Sequence, residues 1–213
     1  MNSTEYKQAI LETCKKPFEN FKSKRLEVVE AFIVGFREGA ATNGIKLDFG
    51  LRPLAKNLSK QHNILCGAKS TISLYNLISE NEDQCFELFL KDLSNYLAEN
   101  EIKVSKSKGE SLTLERLFYS FDGGYTIKRQ LNTLRAYCIG VNQIQKVLGG
   151  DGFNFSELET WLQAEYSMPK NVSWDSIILF FSENSYSKAY DKFYEILAES
   201  HIKVISSDNE TYI

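Results

Sequence analysis

The second half of this chain repeats the first, one domain-length later. Leu97-Ala98-Glu99-Asn100-Glu101-Ile102-Lys103-Val104 returns as Leu197-Ala198-Glu199-Ser200-His201-Ile202-Lys203-Val204, and Ser79-Glu80-Asn81 returns as Ser182-Glu183-Asn184. Earlier, Ala31-Phe32-Ile33-Val34-Gly35 corresponds to Ala136-Tyr137-Cys138-Ile139-Gly140. The offset shrinks from 105 at the glycine to 103 at Ser-Glu-Asn and 100 at the end, so a few residues are missing between matched blocks. A unit of this length is a small domain, too long for a solenoid repeat. The expectation is a mainly α protein with small β-hairpins: two tandem, structurally similar helical domains, residues 1–113 and 114–213, each ending in a short hairpin.

Local patterns support the helices. Residues 3–14 carry a partial stripe of Tyr6, Ile10 and Leu11 with Thr4 as a cap, and Lys15-Lys16-Pro17 ends them because proline cannot continue a hydrogen-bonded turn. Over 23–42, Leu26, Val29, Phe32, Ile33 and Phe36 recur at steps of three and four, as do Leu131, Leu134, Cys138, Val141 and Ile144 in the second unit. Gly35 and Gly140 sit inside these stripes, where glycine costs about 1 kcal/mol against alanine. Its presence in both copies predicts a close crossing by another helix, which only a missing side chain permits. Each helix then meets a turn, Asn43-Gly44 or Gly149-Gly150-Asp151-Gly152, and a short helix with Leu51, Leu54 and Leu58 or Leu158, Trp161 and Leu162.

The end of each unit divides in two. Residues 70–79 match 173–182, residues 82–99 match 185–199, and Ser-Glu-Asn between them reads as a turn with capping side chains. Two extended runs follow in each copy, Ile102-Lys103-Val104 with Ser111-Leu112-Thr113 and Ile202-Lys203-Val204 with Thr211-Tyr212-Ile213. Runs of this kind around a turn predict a hairpin. The Ser/Lys/Gly-rich stretch between the units then belongs to the first hairpin, and the second unit starts near Leu114.

Composition permits such a core: 43% of the 213 residues are hydrophobic, 13% aromatic, and only three are proline. The net charge of −3 is unevenly shared, +1 over residues 1–113 and −4 over 114–213. A duplex binder shows a strongly basic face, so this balance argues against nucleic acid and suits an acidic second unit meeting a basic partner. No signal-like run follows Met1, and Ile177–Phe181 is core-sized rather than membrane-sized. A cytoplasmic chain is expected.

Chemistry-bearing motifs are sparse, and no cofactor, metal or catalytic residue is expected. Cys14, Cys66, Cys85 and Cys138 lack CxxC spacing and read as buried thiols. His62 and Cys66 are four apart, but no second pair completes a zinc site. The Gly149–Gly152 run follows a helix and lacks the Lys-Ser/Thr of a phosphate loop, so it reads as a helix-ending turn. Asp151, Glu157, Glu159, Glu165 and Asp175 are paired-carboxylate candidates for a hydrolase, yet such charges usually form a solvated face. The helix-then-hairpin ending also admits a winged-helix-like DNA-binding regulator, with its cations at Lys15-Lys16 and Lys22-Ser23-Lys24-Arg25.

One resemblance adds to this reading. Lys16-Pro17-Phe18 followed by Leu26 through Phe36 in the first unit parallels Gly124-Tyr125-Thr126 followed by Leu131 through Gly140 in the second. Ser173-Trp174-Asp175 and Ala189 through Leu197 come after. This order resembles small helical bacterial immunity proteins of polymorphic toxin systems. Ser70-Thr71 stands where Ser-Trp would fall in the first unit, and the second unit lacks the proline. The resemblance implies no enzyme, but a protein-binding module that inhibits a cognate secreted toxin domain, away from membranes. Aromatic anchors and complementary charge then place the partner surface at Asp151, Glu157, Trp161, Glu165, Tyr166 and Trp174.

Overall fold

The two glycine-centred stripes fold as the long helices at the middle of the molecule. The computed structural model describes residues 3–64, 71–106, 108–109, 129–150, 152–200 and 202. The first unit comprises α1 (Ser3–Cys14), α2 (Pro17–Phe21), α3 (Leu26–Thr42), β1 (Ile45–Asp48), α4 (Arg52–Gln61), α5 (Thr71–Ile78), α6 (Glu82–Glu99) and β2 (Lys103–Lys106). The second comprises α7 (Leu131–Leu148), α8 (Ser156–Glu165), α9 (Trp174–Phe181) and α10 (Tyr186–Ser200). The protein is mainly α, with a single two-stranded sheet among the described residues. From α3 onward the helices follow one another in the same order in both units. The unit boundary at Leu114 lies outside the described residues.

α3 packs on α7, and the two bury corresponding positions: Leu26 and Leu131, Val29 and Leu134, Ala31 and Ala136, Phe32 and Tyr137, Gly35 and Gly140. The expected close crossing is therefore between the two copies of one helix. A Cβ on Gly35 would overlap the carbonyl of Tyr137, whose carbon lies 2.8 Å from it. A Cβ on Gly140 would overlap the carbonyl of Phe32 and stand 2.6 Å from the Phe36 nitrogen. Tyr137 holds the place of Phe32 in the repeat, so the two clashes are mirror statements of one backbone-on-backbone contact. Gly39, one turn along, extends it: a Cβ there would lie 3.1 Å from the Cα of Val141.

Around this crossing the buried residues form a continuous core. Phe21, Phe32, Phe36 and Tyr6 make an aromatic chain linking α1 and α2 to α3, with ring centroids 5.3–6.5 Å apart. α1 and α2 also pack on α7, so the first unit's N-terminal helices cover the second unit's central one. Each fully buried side chain of this size contributes about 1.5–3 kcal/mol.

The turns follow local chemistry. Pro17 opens α2, where its missing N–H costs nothing, and Gly149 caps α7 at φ 76°. The two Ser-Glu-Asn turns differ in detail. Asn81 is extended and accepts from the Gln84 N–H at 2.9 Å, while Gln84 Oε1 accepts from the Glu80 N–H. Glu183 and Asn184 are instead left-handed, at φ 56° and 57°.

Of the expected first hairpin only the first run lies within the described residues. Lys103–Lys106 is extended, as expected, and among the described residues it pairs antiparallel with β1, in register from Ile45 with Lys106 to Asp48 with Lys103. β1 packs on α3 with Leu47 buried, and Ile102 is buried as the chain enters β2. Residues 111–113 and the second hairpin at 203–213 lie outside the described residues.

Cys14, Cys85 and Cys138 are free and buried, as expected; Cys66 lies outside the described residues. Burial pushes the Cys14 thiol up to about 12 and also raises those of Cys138 and Cys85. The thiolate is the reactive form. These three cysteines are expected to resist iodoacetamide at pH 8 in the native protein and to alkylate on unfolding, by peptide mass mapping. Native labelling of Cys14 or Cys138 within minutes would contradict their burial.

Candidate protein-binding surface

α8 presents the predicted surface. Glu157, Trp161 and Glu165 follow one another at intervals of four, which places them on one helical face. Glu157 and Glu165 are exposed and Trp161 is half-buried. Leu158 and Leu162, about a quarter-turn round the helix, are buried and fix it against the core. Asp151 lies outside the described residues.

Tyr166 terminates α8 and stacks on Phe181, with centroids 4.3 Å apart and planes at 29°. Phe180 stands perpendicular to Phe181 at 5.1 Å. Phe180 is 62% exposed and Phe181 45%, unusual values for such large apolar rings. Sequence reading passed over both as core. For Phe180 the signal was periodicity, since it falls off the inward stripe set by Trp174, Ile177 and Ile178; Phe181 lies on that stripe and emerges as the last residue of α9. Leu77, at the corresponding place on α5, is likewise 64% exposed.

Trp174 departs from the expectation. It is 7% exposed, stacked on Phe155 at 4.5 Å and tilted against Phe193 at 5.4 Å. Its backbone N–H donates to Glu159 Oε2 at 3.1 Å. This tryptophan fills the space between α8 and α10, so it supports the surface from beneath and cannot contact a partner.

The carboxylates proposed as a hydrolytic set are committed separately. Asp175 is 9% exposed; it accepts from Lys22 Nζ at 3.0 Å and pairs with Arg135 Nε at 3.4 Å. Glu159 holds the Trp174 amide, while Glu157 and Glu165 face outward without an ion-pair partner among the described residues. The cations near the N-terminus are also engaged: Lys15 with Glu12, Lys16 with Glu19, Lys22 with Asp175, Lys24 with Asp83 and Arg25 with Glu27. Each local carboxylate reduces the field a phosphate backbone would meet.

A cleft of about 540 Å³ opens between α3, α5 and α6, lined by Lys24, Arg25, Glu27, Asn76, Glu82 and Cys85 among others. The Cys85 thiol donates to Asn76 Oδ1 at 3.2 Å, and desolvation raises its pKa, so it stays protonated at neutral pH. No described helix is long and apolar enough to cross a membrane. No protein-family model, curated protein or solved structure matches this chain.

Proposed function

We propose that this chain is a non-enzymatic protein-binding module that acts as an immunity protein, covering a basic surface of a cognate toxin domain in the cytoplasm. The observation that carries this reading is the juxtaposition on α8 and α9 of outward, unpaired carboxylates and an exposed aromatic stack. Rigid aromatic rings are the commonest anchors of protein interfaces, and carboxylates around them speed encounter with a basic partner. Free buried thiols suit a reducing compartment.

A tagged pull-down from the native host, with mass spectrometry of stoichiometric partners, tests this. The wild type is expected to retain one basic protein domain. The Glu157→Lys, Glu165→Lys variant is expected to bind it at least about tenfold more weakly at physiological salt, because both reversed charges sit at the contact. Its melting temperature is expected to stay within about 2 °C of wild type, since exposed substitutions change stability little. Equal capture by both proteins would remove the α8 face from the mechanism.

A further inference from the structure

α4 and α8 hold the same place in the two units, yet their outward faces carry opposite charge. α4 contains Arg52, Lys56 and Lys60 and no carboxylate; α8 contains Glu157, Glu159 and Glu165 and no cation. The three cations of α4 follow at intervals of four and are all exposed. Glu157, Trp161 and Glu165 follow at the same intervals, two exposed carboxylates flanking a half-buried ring. Four residues advance a helix by about 6 Å and return nearly to the same face, so each triplet is a stripe about 12 Å long.

These stripes are also unspent. None of Arg52, Lys56, Lys60, Glu157 and Glu165 has an ion-pair partner among the described residues, so each is available to a second molecule. Within one chain α4 packs on α5 and α6, and α8 on α9 and α10, and no ion pair joins the two stripes.

We infer that the chain self-associates, α4 of one copy docking along α8 of a second. Laid together, the outer cations meet Glu157 and Glu165 while Lys56 lies over the Trp161 ring, an attraction the ring's quadrupole favours. The pattern reads the same from either end, so the helices match running parallel or antiparallel. Every copy carries both stripes and is therefore complementary to its own kind. The same α8 face serves the proposed partner, so a second copy competes with it, α4 standing in for the partner's basic surface. The inference itself concerns this chain alone and does not depend on what that partner is.

Sedimentation velocity of the full chain over a hundredfold range of concentration tests it, at about 20 mM and about 300 mM salt, where exposed charges are weakly and strongly screened. At low salt the sedimentation coefficient is expected to rise with concentration, and high salt to weaken association about tenfold or more. Arg52→Glu, Lys56→Glu, Lys60→Glu is expected to be monomeric, as is Glu157→Lys, Glu165→Lys. Mixing the two is expected to restore a complex, because one then carries two acidic stripes and the other two basic ones. Thermal melts establish that both variants fold. A wild type that stays monomeric at low salt, or association that neither reversal disturbs, overturns the inference. So does a monomer whose α4 cations instead retain a DNA duplex in a salt-sensitive gel shift. Partner capture would survive any of these failures, because it is read with a different protein.

Discussion

Gly140→Ala is expected to lower the melting temperature by about 4–8 °C. The added methyl would overlap the Phe32 carbonyl and approach the Phe36 nitrogen, and these are backbone atoms of a helix with no rotamer to change. Relief requires α3 and α7 to separate along their length, which opens space at Phe32, Tyr137 and Val141, all fully buried. Overpacking of this kind costs about 3 kcal/mol or more, and alanine's better helix propensity returns about 1. For a chain of this size each kcal/mol shifts the midpoint by about 2–4 °C. Gly35→Ala should do the same, and the double variant should fall short of the sum, because one separation serves both. Gly50→Ala is the control: a Cβ there would meet only the Arg37 guanidinium at 3.9 Å. A Gly140→Ala protein melting within about 1 °C of wild type would mean that the backbones do not touch.

Asp175→Ala is expected to cost about 2 kcal/mol, read as a lower urea midpoint at unchanged slope. This carboxylate joins the units: Lys22 reaches it from the end of α2, and Arg135 from α7. Lys22 Nζ also meets the hydroxyls of Ser173 and Ser176, at 2.8 and 3.0 Å. Removing Asp175 strands Arg135, whose side chain is only 19% exposed and would keep just the Asn20 carbonyl at 2.9 Å. A fully buried pair broken this way costs about 3–5 kcal/mol; Lys22 is half in water and lowers the figure. A double-mutant cycle with Lys22→Ala isolates the contact between units, and a coupling near zero would show that solvent screens it.

Much of the architecture was readable in the chain. The repeat and the three-and-four spacing located the helices from α3 to α10 to within a few residues, because a stripe that must be buried declares its own period. Even the crossing was announced by glycine in the middle of two good helices, a choice that sacrifices propensity and makes sense only where a neighbour comes close. α2 escaped notice since five residues around Pro17 carry too little period to register.

The surface was only half legible. Glu157, Trp161 and Glu165 could be placed on one face by counting. Whether a given aromatic points outward depends on what lies beneath it, which counting along the chain does not report. Trp174 was taken for surface and is core, because Phe155 and Phe193 close over it from segments far apart in sequence. Phe180 and Phe181 were taken for core and are exposed, Phe180 because it lies off the inward stripe of α9 and Phe181 because it ends the helix.

By itself, then, the sequence determined most of the helices and the two glycines at which another helix must come close, properties set by short-range period and by the steric demand of one missing side chain. Only the tertiary structure decided three things: that the two glycine helices cross each other, that Lys103–Lys106 pairs with the distant Ile45–Asp48, and that Asp175 is held between Lys22 and Arg135. Each joins residues far apart in the chain, and such pairings are selected by competition for buried area and charge in three dimensions, which no local pattern encodes.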